Sequence, residues 1–443
     1  MSATEKKKAL IAMSGGVDSS VAAALMIQDG YTCIGCTMKL LGDAFACRLD
    51  EAGVPAVSGA PDAAASAGSE GSTGFGMESN RGAGRTAAPH TCCSLEDVED
   101  ARSVARKLGM LYYVFNFTED FEEKVIDRFV RIYQAGGTPN PCIDCNRYMK
   151  FGRLFNRAKE LGCDKVVTGH YARTQYDEAS GRWKLLRSMN RPKDQTYVLY
   201  AMTQEQLAHV SFPLGEFDGK EEVRRLAEQY GFVNSRKPDS QDICFVPDGK
   251  YADFIERRCG EQAPWGDFVD EDGHVLGTHR GLIRYTIGQR RGLGLALPAP
   301  LYVQKIDIRK NQVVLTPEEK LFSRRLIAED FNWIWTPDWG VWNGKADTGT
   351  DGCVSPDWGV WNRRADTGTD GCGTADRGPD PSGAEDRRAD GAGSAHSTAD
   401  APPAGYVCEV TAKPRYRAKE AEATARVLEG GKVEILFMNR SGH

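Results

Sequence analysis

No apolar run in this 443-residue chain approaches the roughly 20 residues a membrane-spanning helix needs. The first residues, Met1-Ser-Ala-Thr-Glu-Lys-Lys-Lys8, reach a strand-like run without the small-residue cleavage site of a secretory leader. A cytoplasmic protein with no membrane partner is expected. An even, closely spaced cysteine framework is also lacking. The 13 cysteines are scattered over a long chain, which argues for reduced, catalytic or metal-binding thiols rather than disulfide staples. Positive charge is scarce for a nucleic-acid binder, at 56 Lys and Arg against 62 Asp and Glu. That deficit is local. Residues 43–89 carry 6 acids and 3 bases and residues 337–404 carry 12 acids and 6 bases, so the rest of the chain is mildly basic and permits RNA binding.

The most informative segment is Lys7-Ala-Leu-Ile-Ala-Met-Ser-Gly-Gly-Val-Asp-Ser-Ser20. An apolar strand runs into Ser14-Gly15-Gly16-Val17-Asp18-Ser19 and then into a helical run. Glycine lets the backbone turn tightly and approach an anion, and the N–H groups opening the next helix point at it with the helix dipole behind them. The Gly-Lys-[Ser/Thr] ending of a Walker loop and the Gly-x-Gly-x-x-Gly pattern are both absent from this turn, so no lysine within it reaches the outer phosphates. Ser-Gly-Gly-x-Asp-Ser resembles the PP-loop of ATP pyrophosphatases. The resemblance implies pyrophosphate held here and transfer of AMP to an oxygen that is to be replaced.

The two acidic stretches are rich in Ala, Gly, Ser, Asp and Pro and read as inserted loops. The second holds a tandem duplication, Pro337-Asp-Trp-Gly-Val-Trp-Asn343 returning as Pro356 to Asn362, too few copies for a solenoid. Outside them, Ala9 to Met13, Thr32 to Leu40, Leu111 to Phe117 and Lys165 to Thr168 read as strands. Ser19 to Gln28, Leu95 to Leu108, Glu119 to Gln134 and Arg147 to Leu161 read as helices, with Ser94 and Thr118 as N-caps and Gly109 and Gly136 as stops. The fold class expected is α/β, a parallel-sheet PP-loop domain over 1–211. A small mixed domain over 212–298 with a helix from Lys220 to Tyr230, and a β-rich, barrel-like domain over 299–443, follow. In such a parallel sheet, Ser14 to Ser19, Met38 and Gly169-His170 lie beyond the strands' carboxyl ends, where ligands bind. His170 reads equally as a phosphate polariser or a structural hydrogen-bonding residue.

Three cysteines stand in settings suited to chemistry. Cys142 and Cys145 lie in Thr138-Pro-Asn-Pro-Cys-Ile-Asp-Cys-Asn-Arg147, where a rigid segment delivers thiols to a helix start that Asn146 could cap, a position that lowers a thiol pKa. Cys244 follows a polar, turn-prone run, Asp239-Ser-Gln-Asp-Ile-Cys244. A three-thiolate iron-sulfur or zinc site is the metal alternative, with ligands Cys142, Cys145 and Cys244. Cys33 and Cys36 fall on one strand and face opposite sides, so they cannot share a ligand. Cys92-Cys93 is expected to pack beneath the following helix.

In this order, the PP-loop, Pro-Asn-Pro-Cys-x-x-Cys-Asn, Thr168-Gly-His-Tyr171, Lys193-Asp-Gln195, Asp239 to Phe245, Tyr285-Thr-Ile-Gly-Gln-Arg290 and Arg415-Tyr-Arg417 resemble the tRNA-specific 2-thiouridylases. The resemblance covers nearly everything outside the inserts. It implies replacement of the C2 oxygen of a tRNA wobble uridine by sulfur, with ATP and Mg²⁺, and with a cysteine desulfurase or sulfur-relay protein as persulfide donor. It assigns ATP binding to Ala12, Met13, Ser14, Gly15, Gly16, Val17, Asp18, Ser19, Met38 and Gly169. Cys145 falls on the nucleophile and Cys244 on the persulfide carrier, with a disulfide between them as the resting product. Asn140, Pro141 and Cys142 match contacts to the target base, while Lys193, Asp194, Gln195, Arg415 and Tyr416 match other tRNA contacts. A monomer is expected. Two departures follow from the comparison: some members carry Asp where this chain has Cys142, and the family continues past the strand ending near Phe437, so an unpaired strand edge is expected there. Two other readings remain, an amide-forming ligase of the PP-loop group and a tRNA- or cluster-binding homologue without catalysis.

Overall fold

The computed structural model describes residues 6–42, 95–239, 243–246, 249–335, 401–415 and 418–438. The whole 43–89 insert, residues 337–400 of the second one, Cys92, Cys93, Ser94 and Tyr416 lie outside the described residues.

The chain opens with β1 (Lys8–Ala12), α1 (Val17–Gln28), β2 (Thr32–Lys39), α2 (Leu95–Lys107) and β3 (Leu111–Asn116). A continuous helix α3 spans 118–134, π-wound over 122–126, and α4 spans 141–160, π-wound over 145–153. β4 (Lys165–Val167), a hairpin of β5 (Ala172–Asp177) and β6 (Arg182–Arg187), α5 (Gln204–Ala208) and β7 (Val210–Ser211) complete this part. The first sheet has the order β3-β2-β1-β4-β7 with every pair parallel. Burial on both faces explains why β1 reads as the unbroken apolar run Ala9-Leu10-Ile11, each of which has no exposed surface. Ile11, Cys33 and Val167 meet Val21 and Ala24 of α1 and Ala101 and Val104 of α2 on one face. Leu10, Cys36 and Val166 meet Phe121, Phe129 and Leu154 on the other. Cys33 and Cys36 therefore belong to opposite cores, as their spacing predicts. Burial pushes the Cys33 thiol up to about 11, and that of Cys36 further still, so neither is a thiolate near neutrality.

The four predicted strands and four predicted helices are present within one or two residues at most ends, and Gly109 and Gly136 stop their helices with φ near +70°. Two details differ. The cap position of α3 is Phe117, which offers no side-chain cap, and Asn116 Oδ1 accepts from Thr118 N at 3.2 Å, so Thr118 is the first helical residue rather than its cap. The helix expected from Arg147 starts earlier, at Pro141, because Asn140 caps it.

After β7, α6 (Lys220–Gln229) places Val223 and Ala227 in the same core as α1, and α7 (Tyr251–Cys259) places Phe254 and Ile255 in the core beside α3. β8 (Gly266–Val269), β9 (Val275–His279), β10 (Tyr302–Asp307) and β11 (Gln312–Thr316) form a second sheet in the order β10-β11-β8-β9. The division expected at 298/299 thus runs through one sheet. The reason is the parallel pairing of β8 with β11, Asp267 opposite Gln312, a non-sequential contact that strand-by-strand reading does not reveal. A third sheet contains β12 (Arg325–Ala328), β13 (Val407–Ala412), β14 (Ala421–Val427) and β15 (Val433–Phe437) in the order β12-β15-β14-β13. β15 pairs on both sides, and among the described residues the sheet stays open, with its unpaired edges at β12 and β13.

The chain segment leading out of β12 docks against the first domain. Arg147 Nη1 donates to Asp330 at 3.0 Å, and Asn332 Nδ2 donates to the Tyr200 and Met202 carbonyls at 2.7 and 2.9 Å. Trp335 Nε1 donates to Asp177 Oδ2 at 3.0 Å. Replacing the buried Asn332 by Leu leaves two carbonyls without their donor. Asn332→Leu is therefore expected to cost about 1–3 kcal/mol, read as a lower urea midpoint at constant slope; an unchanged midpoint contradicts this docking role.

Candidate active site

The nucleotide-type turn sits where the sheet order reverses, in the crevice between β1 and β4. Met13 N donates to Cys36 O at 2.7 Å, which carries the β1–β2 pairing one residue past the strand. Thr37 Oγ1 donates to Met13 O at 2.7 Å. Ser14 N donates to Ser19 Oγ at 3.2 Å, and Ser19 and Ser20 hydroxyls donate to Gly16 O at 3.1 and 3.0 Å. The turn is thus held closed by its own serines. Gly15 has φ +74°, and a Cβ there would lie 2.4 Å from Asp97 O in the first turn of α2. Gly16 precedes α1 with no side-chain cap, so the first amides of the helix face the crevice. Asn234, 2% exposed, donates to Gly15 O at 2.8 Å and to Ser20 Oγ at 2.9 Å. Gly169 closes the other wall, where a Cβ would come within 2.8 Å of Ser19 N and 2.9 Å of Asp18 C. Met38, half-buried near the end of β2, stands at the same edge of the sheet.

A charged network borders this turn. Asp18 accepts from Tyr171 Oη at 3.1 Å and from Lys220 Nζ at 3.0 Å. Lys220 Nζ also donates to Asp239 Oδ1, and Lys193 Nζ donates to Asp239 Oδ2 at 3.0 Å. Arg224 lies 3.9 Å from Asp239. Burial pushes the Asp239 carboxyl up, but hydrogen bonds from Lys220 and Lys193 outweigh it and hold the group below its usual range. The neighbours of Lys193 in its motif look inward. Asp194 accepts from Ser188 N at 2.8 Å and Thr196 Oγ1 at 2.6 Å, and Gln195 Oε1 accepts from Tyr171 N at 3.0 Å. They hold the loop that carries Lys193 against Tyr171.

His170 is 6% exposed between Phe151 and Phe212. Its Nε2 lies 3.3 Å from Lys150 Nζ and its Nδ1 2.7 Å from Thr168 Oγ1. An ammonium can only donate, so Nε2 accepts and Nδ1 carries the proton toward Thr168. Burial, with Lys150 second, pushes the imidazole well below its usual pKa, so His170 is a neutral structural group.

The candidate thiols border one apolar core. Asn140 caps α4 by accepting from Cys142 N at 3.2 Å, with buried Pro141 in the first turn. Cys142 is exposed, whereas Cys145 is half-buried against the core of Phe121, Phe129 and Phe151. Asn146 is not the cap: it is buried inside α4 and donates to Val198 O at 3.2 Å. Cys244 is half-buried on that same core, next to Phe245, whose ring meets those of Phe121, Phe129 and Phe254 at 5.9, 5.2 and 5.4 Å. Among the described residues, the group of metal-ligating side chains close enough to share an ion is Asp270, Asp272 and His274, on the surface of the second sheet. Cys142, Cys145 and Cys244 are not gathered at that spacing.

Arg415 meets the Tyr285-Thr-Ile-Gly-Gln-Arg290 segment, its guanidinium 3.0 Å from where a Cβ on Gly288 would stand. Gly288 has φ +84°, so two separately noted motifs form one junction between the second and third sheets. Sequence reading missed Lys220 and Asn234. Lys220 opens a charged helix, Lys-Glu-Glu-Val-Arg-Arg, that reads as a solvated face, and nothing local marks Asn234 as the donor to a glycine carbonyl more than two hundred residues upstream.

Gly169→Ala is expected to displace the Asp18–Ser19 backbone and weaken anion binding at the turn about tenfold or more, measured by calorimetry with a nucleoside triphosphate as the probe and the fold retained. Unaltered affinity would show that the close approach is incidental. Burial pushes the Asp144 carboxyl up to about 6 from 3.8, with Arg128 and Arg147 opposing. The native state then holds a proton that the unfolded chain has lost between those values, so this group makes stability fall as pH rises from about 4 to 6. Asp144→Asn should flatten that part of the profile in urea titrations at stepped pH; an identical slope in both proteins would refute it.

A family model described as the tRNA methyl transferase HUP domain matches residues 7–69 and 54–248, and one described as the tRNA methyl transferase PRC-barrel domain matches residues 252–317. The second match ends with β11, so it takes in the whole second sheet. The chain is 46% identical over 330 residues to the tRNA-specific 2-thiouridylase MnmA of Carboxydothermus hydrogenoformans, covering 74% of this chain and 80% of the relative. It is 47% identical over 332 residues to that of Symbiobacterium thermophilum, covering 75% and 76%. Among solved structures, an NMN synthetase from Francisella tularensis is 12% identical over 59% of this chain and 80% of its own, with a TM-score of 0.28, too low to bear on function. With a relative 46% identical over four-fifths of its length and a family model spanning the sheet and the candidate site, the chain belongs to the tRNA-specific 2-thiouridylase family.

Proposed function

We propose that this chain adenylates the C2 oxygen of a tRNA uridine with ATP and replaces it by sulfur through Cys145 and Cys244. The observation that carries the reading is the conjunction of an anion-binding turn at the β1/β4 crevice with two thiols on one core, one at the head of α4 and one five residues beyond Asp239, which shares Lys220 with Asp18. ATP lies over Ala12 to Ser19, with Met38 and Gly169 as walls. The carboxylate of Asp18 is a hard oxygen donor of the kind Mg²⁺ takes and would hold the ion against the phosphates, whereas both oxygens of Asp239 are bonded by Lys220 and Lys193.

The chemistry balances as follows. The uracil O2 attacks the α-phosphorus and pyrophosphate leaves with the electron pair of the broken P–O bond. The C2 carbon, now bearing an AMP leaving group, is attacked by the terminal sulfur of a Cys244 persulfide, and AMP departs. Cys145 as thiolate then attacks the Cys244 sulfur, breaking the S–S bond to the base; thiouridine leaves and a Cys145–Cys244 disulfide forms, which two external thiols reduce by successive exchange, leaving as their own disulfide. The persulfide comes from a cysteine desulfurase or relay protein. Asn140, Pro141 and Cys142 face the target base, and Lys193, Asp194, Gln195, Arg415 and Tyr416 contribute tRNA contacts. The intramolecular bonds of Asp194 and Gln195 make Lys193 the member of its motif with a charge to offer a phosphate.

Among the described residues no helix is long and apolar enough to cross a membrane. The test is thiolation of unmodified tRNA with ATP, Mg²⁺ and a desulfurase, on protein purified anaerobically and assayed for iron. Thiouridine from wild type and none from Cys145→Ser or Cys244→Ser is expected, with iron well below one equivalent. Activity surviving both substitutions would point to ligase-type chemistry, and stoichiometric iron lost with those cysteines would move the sulfur step to a cluster.

A further inference from the structure

The Ser14–Ser19 turn carries no lysine of its own, yet an adenylating site must hold a leaving pyrophosphate whose charge grows as the P–O bond breaks. The structure brings three cations to the turn from elsewhere. Lys220, the first residue of α6, is 10% exposed at its side chain and stands 3.0 Å from Asp18. Lys193 reaches Asp239 at 3.0 Å and Arg224 stands 3.9 Å from it. Around the crevice, three cations thus face the two carboxylates Asp18 and Asp239. An ammonium has three N–H donors, and Lys220 uses two of them on those carboxylates. Among the described residues the third donor of Lys220, and the donors of Lys193 beyond its bond to Asp239, meet no other acceptor, which leaves them for an anion lying against the α1 amides.

We propose that Lys220, with Lys193 and Arg224, forms the clamp that binds the pyrophosphate leaving group, supplying from outside the turn the cation the turn lacks. The placement follows from α6 packing on α1 through Val223 and Ala227, which sets Lys220 over the first turn of α1. Asp239 holds the clamp together without ligand, its carboxylate bonded by two of the three cations and approached by the third. Phosphate oxygens are acceptors of the same kind as these carboxylates. The clamp rests on the adenylation reading above.

The test uses the full chain and magnesium pyrophosphate as the probe. Calorimetry of wild type, Lys220→Met, Lys220→Arg, Lys193→Met and Arg224→Met is compared with binding of AMP. Loss of a charged hydrogen bond predicts pyrophosphate affinity about ten- to a hundredfold weaker in Lys220→Met, with AMP affinity within about twofold and partial recovery in Lys220→Arg. In steady state, the rate of pyrophosphate release should fall by a larger factor than the KM for ATP rises, because the contact strengthens as the leaving group separates. Pyrophosphate affinity unchanged in Lys220→Met overturns the clamp. If Lys220→Met does not fold, Lys193→Met and Arg224→Met, at half-exposed positions, decide it: unchanged affinity in both overturns it, and a loss in either supports it. Thiolation on the same preparations separates the two readings. A wild type that binds pyrophosphate through Lys220 but makes no thiouridine keeps the clamp and removes sulfur transfer; a wild type that thiolates while Lys220→Met binds pyrophosphate normally does the reverse.

Discussion

Gly169 leaves β4 against the peptide joining Asp18 to Ser19, at a distance that leaves no room for a Cβ. That contact sets the depth of the crevice at the β1/β4 reversal, and the other parts of the site are registered to it. With the backbone of Ser19 fixed, its hydroxyl is positioned to receive Ser14 N and to bond Gly16 O, so the turn closes on itself. With Asp18 fixed, Tyr171 and Lys220 have a stationary carboxylate to bond. Lys220 in turn reaches Asp239, the residue that opens the Cys244 motif. A backbone approach between two strand ends thus orders a chain of charges extending to the sulfur chemistry. Glycine is required at this position by packing, independent of any φ preference.

The two thiols are held differently, and the difference suits their proposed roles. Cys145 sits in a helix capped by Asn140 and braced by the buried Asp144 and Asn146, so its position is set by α4 as a whole. Cys244 is held by Phe245, one side chain inserted between Phe121, Phe129 and Phe254. A fixed resolving thiol and a carrier tethered at one aromatic anchor are what a relay needs, because the carrier must meet both a donor protein and the base. The shared core keeps them on one side of the sheet.

Local patterns made most of the first domain legible. The apolar run of β1, the glycine turn and the opposite faces of Cys33 and Cys36 follow from local sequence, and the structure bears these out, whereas Cys142 and Cys145, expected just ahead of a helix from Arg147, lie inside one that starts at Pro141. What stayed hidden is what only tertiary pairing creates. β8 and β11 pair in parallel across some forty residues, so one sheet was divided between two expected domains. β15 lies inside its sheet because β12, far upstream, returns to pair with it. Asn146 offered the chemistry of a cap, yet Asn140 holds the cap because Pro141 presets the first helical φ. Lys220 and Asn234 carry no local signal, since their partners Asp18 and Gly15 lie over two hundred residues away.

The position of the first insert bears on how the turn survives it. The insert over 43–89 falls between β2 and α2, and the first turn of α2 is what Gly15 packs against. The entropic cost of closing a long connection grows only slowly with its length. The start of α2 is held by Lys237, whose buried ammonium bonds Asp97 at 2.8 Å and Asp100 at 2.6 Å. Burial alone would push that ammonium down, and the hydrogen bonds to Asp100 and Asp97 more than restore it, so the ion pair is intact at neutral pH. Lys237 follows Asn234 by three residues and precedes Asp239 by two, so the short run 234–239 touches α2, the glycine turn and Lys220 at once. The segment leading to Cys244 therefore holds the start of α2 against the glycine turn, which accounts for an intact turn beside an insertion at this edge.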